Sequence, residues 1–194
     1  MRVLRLSLGS QVELQVAEAD SRLRVYTIGH SNQGAADLVH LLQQHHIEVL
    51  LDVRSVPYSQ YAPQFNRERL AHVLKKAGLG YAFAGDCLGG HPTDPTCYKN
   101  GKLPEEGADF LKLVDYRAVA EREWYHDGIA RLLEIARQRP TAMMCSEEDP
   151  RQCHRHHLIA QTLLDLGVEV LHVRKDGRAE PAARIERADQ LTMF

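Results

Sequence analysis

Long apolar runs are missing from this sequence: nothing in its 194 residues approaches the roughly 20 consecutive apolar residues of a membrane-spanning helix. The opening stretch, Met1-Arg-Val-Leu-Arg-Leu-Ser-Leu, is broken by charge and lacks the apolar block of a secretory signal. A cytoplasmic protein with no membrane partner is therefore expected. Cysteine is sparse. Without a secretion signal, the four cysteines (Cys87, Cys97, Cys145 and Cys153) are read as thiols or metal ligands rather than disulfides. An excess of one sign of charge is missing too. A net charge of -2 and a pI near 6.6 give no broad basic footprint, so a nucleic-acid partner would need a local basic crevice. The repeated glycines of a dinucleotide fingerprint and the lysine of a P-loop are absent. Neither nicotinamide chemistry nor P-loop nucleotide hydrolysis is supported, and no cofactor is expected.

What is present is an ordinary globular composition, 44% hydrophobic and 26% charged, in a chain long enough for one well-formed core. Five apolar runs read as strands: Leu23–Ile28, Ile47–Val53, Tyr81–Phe83, Thr141–Met144 and Val168–Val173. Between them lie helical stripes. One carries Leu38, Leu41 and Leu42; a second carries Leu70, Val73, Leu74 and Ala77, with Asn66 to cap it and Gly78 to end it. A third carries Tyr125, Ile129, Leu132, Leu133 and Ala136.

The alternation predicts one three-layer α/β domain of Rossmann-like type, with a five-stranded, mainly parallel sheet and helices on both faces. The expected strand order is 3-2-1-4-5, with 2-1-3-4-5 as the alternative. Residues 85–107, rich in Gly, Pro, Asp and Thr, form a long excursion after strand 3 and a candidate lid. Residues 1–22 read as an N-terminal extension, 23–174 as the domain and 175–194 as a tail. Ile185, Leu191 and Phe194 can anchor that tail on the domain or on a second subunit, which makes a homodimer a candidate assembly.

The strongest chemical signal is Cys145-Ser-Glu-Glu-Asp-Pro-Arg-Gln-Cys153-His-Arg-His-His157, where a strand runs through a polar loop into a helix. A helix start presents unpaired N–H groups and partial positive charge, so this junction is a candidate anion site. Helical spacing from Cys153 turns His154 and Arg155 inward and leaves His156 and His157 on the solvated side. Arg155 can clamp a phosphate or carboxylate, or else serve a structural ion pair. Cys153 sits where thiol pKa values fall, and Cys145 at a strand end is either a nucleophile or a small buried residue. Asp52, Glu147 and His30 are candidate acid–base groups; Ser31 and Arg54 lie beside them as candidate substrate contacts, unless Arg54 simply holds the Asp52 carboxylate ionised. Cys145, Cys153, His154 and His30 also make up a set of zinc-type ligands, but Cys-x7-Cys-His is not the spacing of a usual finger or ribbon, and no metal is assigned. Ligands in open α/β sheets bind beyond the carboxyl ends of the strands, which gathers these residues into one crevice.

Several of these segments together resemble the DUF488 family of unknown function: Tyr26-Thr-Ile-Gly-His-Ser31, Asp52-Val-Arg54 with Pro57, Pro63-Gln-Phe-Asn66, Leu88-Gly-Gly90, Cys145-Ser-Glu147 with Asp149-Pro150, and Cys153-His-Arg155. The matches run in order from about Tyr26 to Val173. The resemblance implies a compact α/β fold and a shared site made of these clusters, without a reaction. The expected function is an enzyme holding a phosphorylated or nucleotide-like anion. Its alternatives are a thiol-dependent sulfur- or acyl-transfer enzyme and a non-enzymatic module binding nucleotide or nucleic acid.

Overall fold

Each of the five apolar runs becomes a strand. They are β1 (Arg24–Gly29), β2 (Val49–Asp52), β3 (Gly80–Phe83), β4 (Thr141–Cys145) and β5 (Glu169–Val173). All pair in parallel within one sheet. β2 and β4 bury both faces fully, while β3, at the edge of the sheet, is half-buried throughout. The computed structural model describes residues 23–105 and 107–186; the N-terminal extension and the tail residues Leu191 and Phe194 lie outside them.

Side chains alternate across the sheet at a period of two, and two cores result. Val25, Leu51, Met143 and Val170 point to one face, where α6 (Glu123–Gln138) covers them with Tyr125, Ile129 and Leu132. Ile28, Leu50, Ala142, Met144 and Val173 point to the other, under α1 (Ala35–Gln44) and α2 (Arg67–Lys76). Gly78 ends α2 in the left-handed conformation, at φ +76°. Asn66 takes the N-cap position, but its Oδ1 accepts from Ser59 N instead of capping. No helix among the described residues is long and apolar enough to cross a membrane.

The sheet has six strands, not five. Asp176-Gly177, with Gly177 at φ +85°, turns the chain back after β5, and β6 (Ala179–Pro181) pairs antiparallel with it. The order is β3-β2-β4-β1-β5-β6, so β4 lies between β2 and β1 and neither expected order holds. The reason is burial. Every residue of Thr141-Ala-Met-Met-Cys145 is buried, and such a strand belongs at the centre of the sheet. This order brings the ends of β1, β4 and β2 side by side. The chain leaves β2 toward β3 and leaves β4 toward β5, in opposite directions, which opens a crevice between them.

The excursion is packed rather than loose. It contains the short helix α3 (Gly85–Leu88) and a turn over Pro95–Cys97, and it buries Leu88, Cys97 and Tyr98. Two further short helices, α4 (Phe110–Leu113) and α5 (Tyr116–Ala120), lead into α6. After β4 the chain passes a turn at Pro150–Gln152, then a π-helical stretch over Arg155–Ala160, and ends as α7 (Gln161–Asp165).

Candidate functional site

The loop after β4 is fastened to the end of β1 by backbone bonds. His30 N donates to Cys145 O (3.0 Å) and Ser31 N to Ser146 O (2.7 Å). Gly29 makes this approach possible, since a Cβ there would lie 1.7 Å from Glu147 O. On the other side, Val53 N donates to Met144 O (3.0 Å). The three polar clusters of the sequence therefore do meet. What they do there divides them into two groups.

The first group is spent on the protein itself. Arg54 is buried; its Nε and Nη2 donate to the two oxygens of Asp52 (2.9 and 2.6 Å), and Nη2 also donates to Phe65 O (2.8 Å). Tyr81 OH donates to Asp52 Oδ2 (2.8 Å), and Asp52 has no accessible surface. His30 stacks on Phe65 with ring centroids 4.3 Å apart. Its Nδ1–H donates to Ser31 O (2.8 Å), so its Nε2 accepts from Arg54 Nη1 (3.1 Å). Burial pushes the His30 pKa down to about 4, with the Arg54 charge acting in the same direction.

Arg155, expected as an anion clamp, is among the most deeply buried side chains. It donates to Thr27 Oγ1 (3.3 Å), Glu147 O and Glu148 O (2.7 Å), so it braces the loop from beneath. Because an arginine only donates, Thr27 Oγ1 accepts from it and passes its own hydrogen to His172 Nδ1 (2.7 Å). His172 Nε2–H then donates to His156 Nδ1 (3.0 Å). His156 is thus buried, against the solvated position expected of it. The wider π turn advances each residue by less than the 100° of an α-helix and swings His156 inward. Burial drives the His172 pKa down to about 3, aided by His156 and Arg155.

The second group faces a cavity of about 430 Å³ in the crevice. Its walls include Cys145, Glu147, Cys153 and His154 from the β4 loop, and Ser55 from the segment after β2. Others come from the stretch between β3 and α6, among them Gly90, His91, Phe110 and Tyr116, with His91 stacked on Phe110 at 3.7 Å. Residue-by-residue reading missed these walls, apart from Gly90 within a quoted motif. The excursion over 85–107 was the signal for Gly90 and His91; Phe110 and Tyr116 lie beyond it and had none.

At the cavity floor, Cys145 Sγ lies 3.7 Å and Cys153 Sγ 3.8 Å from His154 Nδ1. The three atoms all lie within 4.8 Å of one another. Burial opposes ionisation of Cys153, but the hydrogen bond from Cys145 and the nearby His154 and Arg155 hold its thiol well below the usual range. Cys145, donating to that sulfur and buried beside its charge, is pushed well above it. Burial raises the Glu147 carboxyl, and the charge on Cys153 adds to this. One shared negative charge, centred on Cys153, is what the pair supports.

Fold and site together define an α/β domain with a dithiol–imidazole cluster at the carboxyl ends of its central strands. Residues 35–162, well over half of the chain, match the model of the domain of unknown function DUF488, and the chain belongs to that family. No curated protein and no solved structure matches it.

Proposed function

We propose that the protein is a thiol-dependent enzyme that transfers an acyl or sulfur group through Cys153. One observation carries this reading: two thiols and an imidazole nitrogen converge on the cavity floor, while Asp52, Arg54, His30 and Arg155 are consumed in buried contacts. The expectation of a phosphorylated or nucleotide-like ligand loses its support with them. Arg54 is the one arginine among the described residues lining the cavity, and its guanidinium already makes four hydrogen bonds, to Asp52, Phe65 and His30. The substrate favoured is a small, polar but uncharged donor.

Cys153 stands at the start of a helical stretch, where unpaired N–H groups favour a thiolate. Its Sγ adds to the donor's carbonyl carbon, and the bond from that carbon to the leaving group breaks. The leaving group departs with the electron pair and takes a proton from the Glu147 carboxyl, and a thioester remains on Cys153. An acceptor returns its proton to Glu147 as it displaces the thiolate. Attack on a donor's sulfane sulfur gives a persulfide by the same displacement, with the donor leaving as its thiolate.

The test is adduct formation on metal-free full-length chain, with p-nitrophenyl acetate as acyl donor and an alkyl hydropersulfide as sulfur donor. A single acetyl or persulfide adduct should map to Cys153, form faster than on free cysteine, and vanish in Cys153→Ala. Adducts no faster than on free cysteine, or spread over all four thiols, contradict the proposal.

A further inference from the structure

One nitrogen cannot serve both sulfurs. His154 Nδ1 carries either one hydrogen or one lone pair, yet it faces Cys145 Sγ and Cys153 Sγ at nearly equal distances, 3.7 and 3.8 Å. A hydrogen bond from it reaches one of them and leaves the other to the contact between the two sulfurs; an ion between the three atoms engages all three at once. Zinc bonds of about 2.3 Å to sulfur and about 2.0–2.1 Å to nitrogen, at the tetrahedral angle, set sulfur and nitrogen roughly 3.5–3.6 Å apart. The observed separations are within a few tenths of an ångström of that edge.

Two further observations point the same way. The His154 side chain is more than nine-tenths buried and its Nε2 has no partner among the described residues, so the ring's polar contacts are those of Nδ1 with the two sulfurs. The bare Cα of Gly90 lies against the same edge of the ring, and a Cβ there would come within 2.6 Å of Nδ1. Any other residue at position 90 would crowd the nitrogen that faces the sulfurs.

We propose that Cys145 Sγ, Cys153 Sγ and His154 Nδ1 form a binding site for a thiophilic divalent ion of the zinc class, whose fourth position opens onto the cavity. Two thiolates and an imidazole select zinc-like ions over magnesium or calcium, which take oxygen ligands. Of the four Cys and His residues that the sequence offers as a set, His30 stays out, because Ser31 O and Arg54 hold both of its nitrogens. The inference uses the same cluster as the thiol reading without depending on it. An ion seated here occupies both sulfurs, so metal loading and thiol transfer exclude one another and the ion becomes a switch on that reaction.

Zinc and cobalt titrations of chelator-stripped full-length protein test the site. One zinc per chain is expected, unaffected by excess magnesium. Cobalt should give an intense sulfur-to-metal charge-transfer band in the near ultraviolet, with the visible bands of a tetrahedral ion. Cys145→Ala, Cys153→Ala and His154→Ala should each weaken binding by more than the roughly 10- to 100-fold that loss of an outer-shell partner costs. Cys87→Ser should bind as wild type does. The cobalt spectrum of the wild type keeps the test valid where a variant fails to fold. Absence of stoichiometric zinc, a cobalt spectrum without the sulfur band, or undiminished binding in folded ligand variants overturns the site. Protein that takes no zinc but still forms the Cys153 adduct overturns the ion site alone. Protein that takes zinc through these residues while metal-free Cys153 stays inert supports the ion site and overturns the thiol reading.

Discussion

Arg155 shows how a charged residue beside a reactive cluster can be structural. Its guanidinium is enclosed and spends its donors on Thr27, Glu147 and Glu148. Arg155→Met keeps much of the bulk and removes every donor, leaving two loop carbonyls without their partner. A buried acceptor left unmade costs about 1–3 kcal/mol, so a loss of roughly 2–5 kcal/mol in urea unfolding is expected. If Arg155 instead gripped substrate, stability would stay within about 0.5 kcal/mol of wild type and only ligand affinity would fall.

Among the elements, β4 and β6 stand at opposite ends of a stability range. β4 is buried along its whole length and is paired on both sides. β6 is a three-residue edge strand ending in Pro181, with Ala179 and Pro181 exposed. Hydrogen exchange by mass spectrometry should find β4 amides opening only with global unfolding and β6 amides exchanging through cheap local opening. Equal protection of the two would contradict this.

The same contrast explains what could be read in advance. The five parallel strands and the stripes of α1, α2 and α6 were legible because their apolar periods are local properties. The hairpin to β6 was written in Asp176-Gly177, a turn signal that the polarity of the tail concealed. Strand order is not local: that β4 separates β1 from β2 follows from burying it, not from any neighbouring residue. The π stretch escaped for a related reason. An α-helical count from Cys153 turns His156 outward, and only the wider turn brings it to His172. At the site, residue types and convergence were legible; the division between spent and available side chains was not. For Arg54 and Arg155 the sequence offers a structural pairing beside a role in binding, and only the partners decide between them.

For the whole molecule, four histidines whose pKa values burial lowers shape the response to acid, and two of them, His30 and His172, are shifted furthest. His30 and His172 have pKa values of about 4 and about 3, below the ordinary 6.5. In the folded protein both stay neutral where the unfolded chain takes up protons, so the unfolded state binds more protons as pH falls below 6.5. Their contribution to stability is complete above that pH and is lost on descending toward 4 and then 3. Each contributes a slope of about 1.4 kcal/mol per pH unit within its window. Urea midpoints between pH 7 and 4.5 should therefore fall, and His30→Asn with His172→Asn should flatten the slope. A profile unchanged by both substitutions would contradict this account.

The central claim is that the reactive centre is the dithiol–imidazole cluster, and site-resolved alkylation tests it most directly. The four thiols differ usefully: Cys97 is buried away from the cluster, and Cys87 is the most exposed, with burial and Asp86 raising its pKa. Accessibility alone puts Cys87 first. With iodoacetamide on metal-free protein near neutral pH, followed peptide by peptide, Cys153 is predicted to react first, faster than free cysteine, and to slow in His154→Ala. Labelling led by Cys87, with Cys153 no faster than free cysteine, would contradict the account.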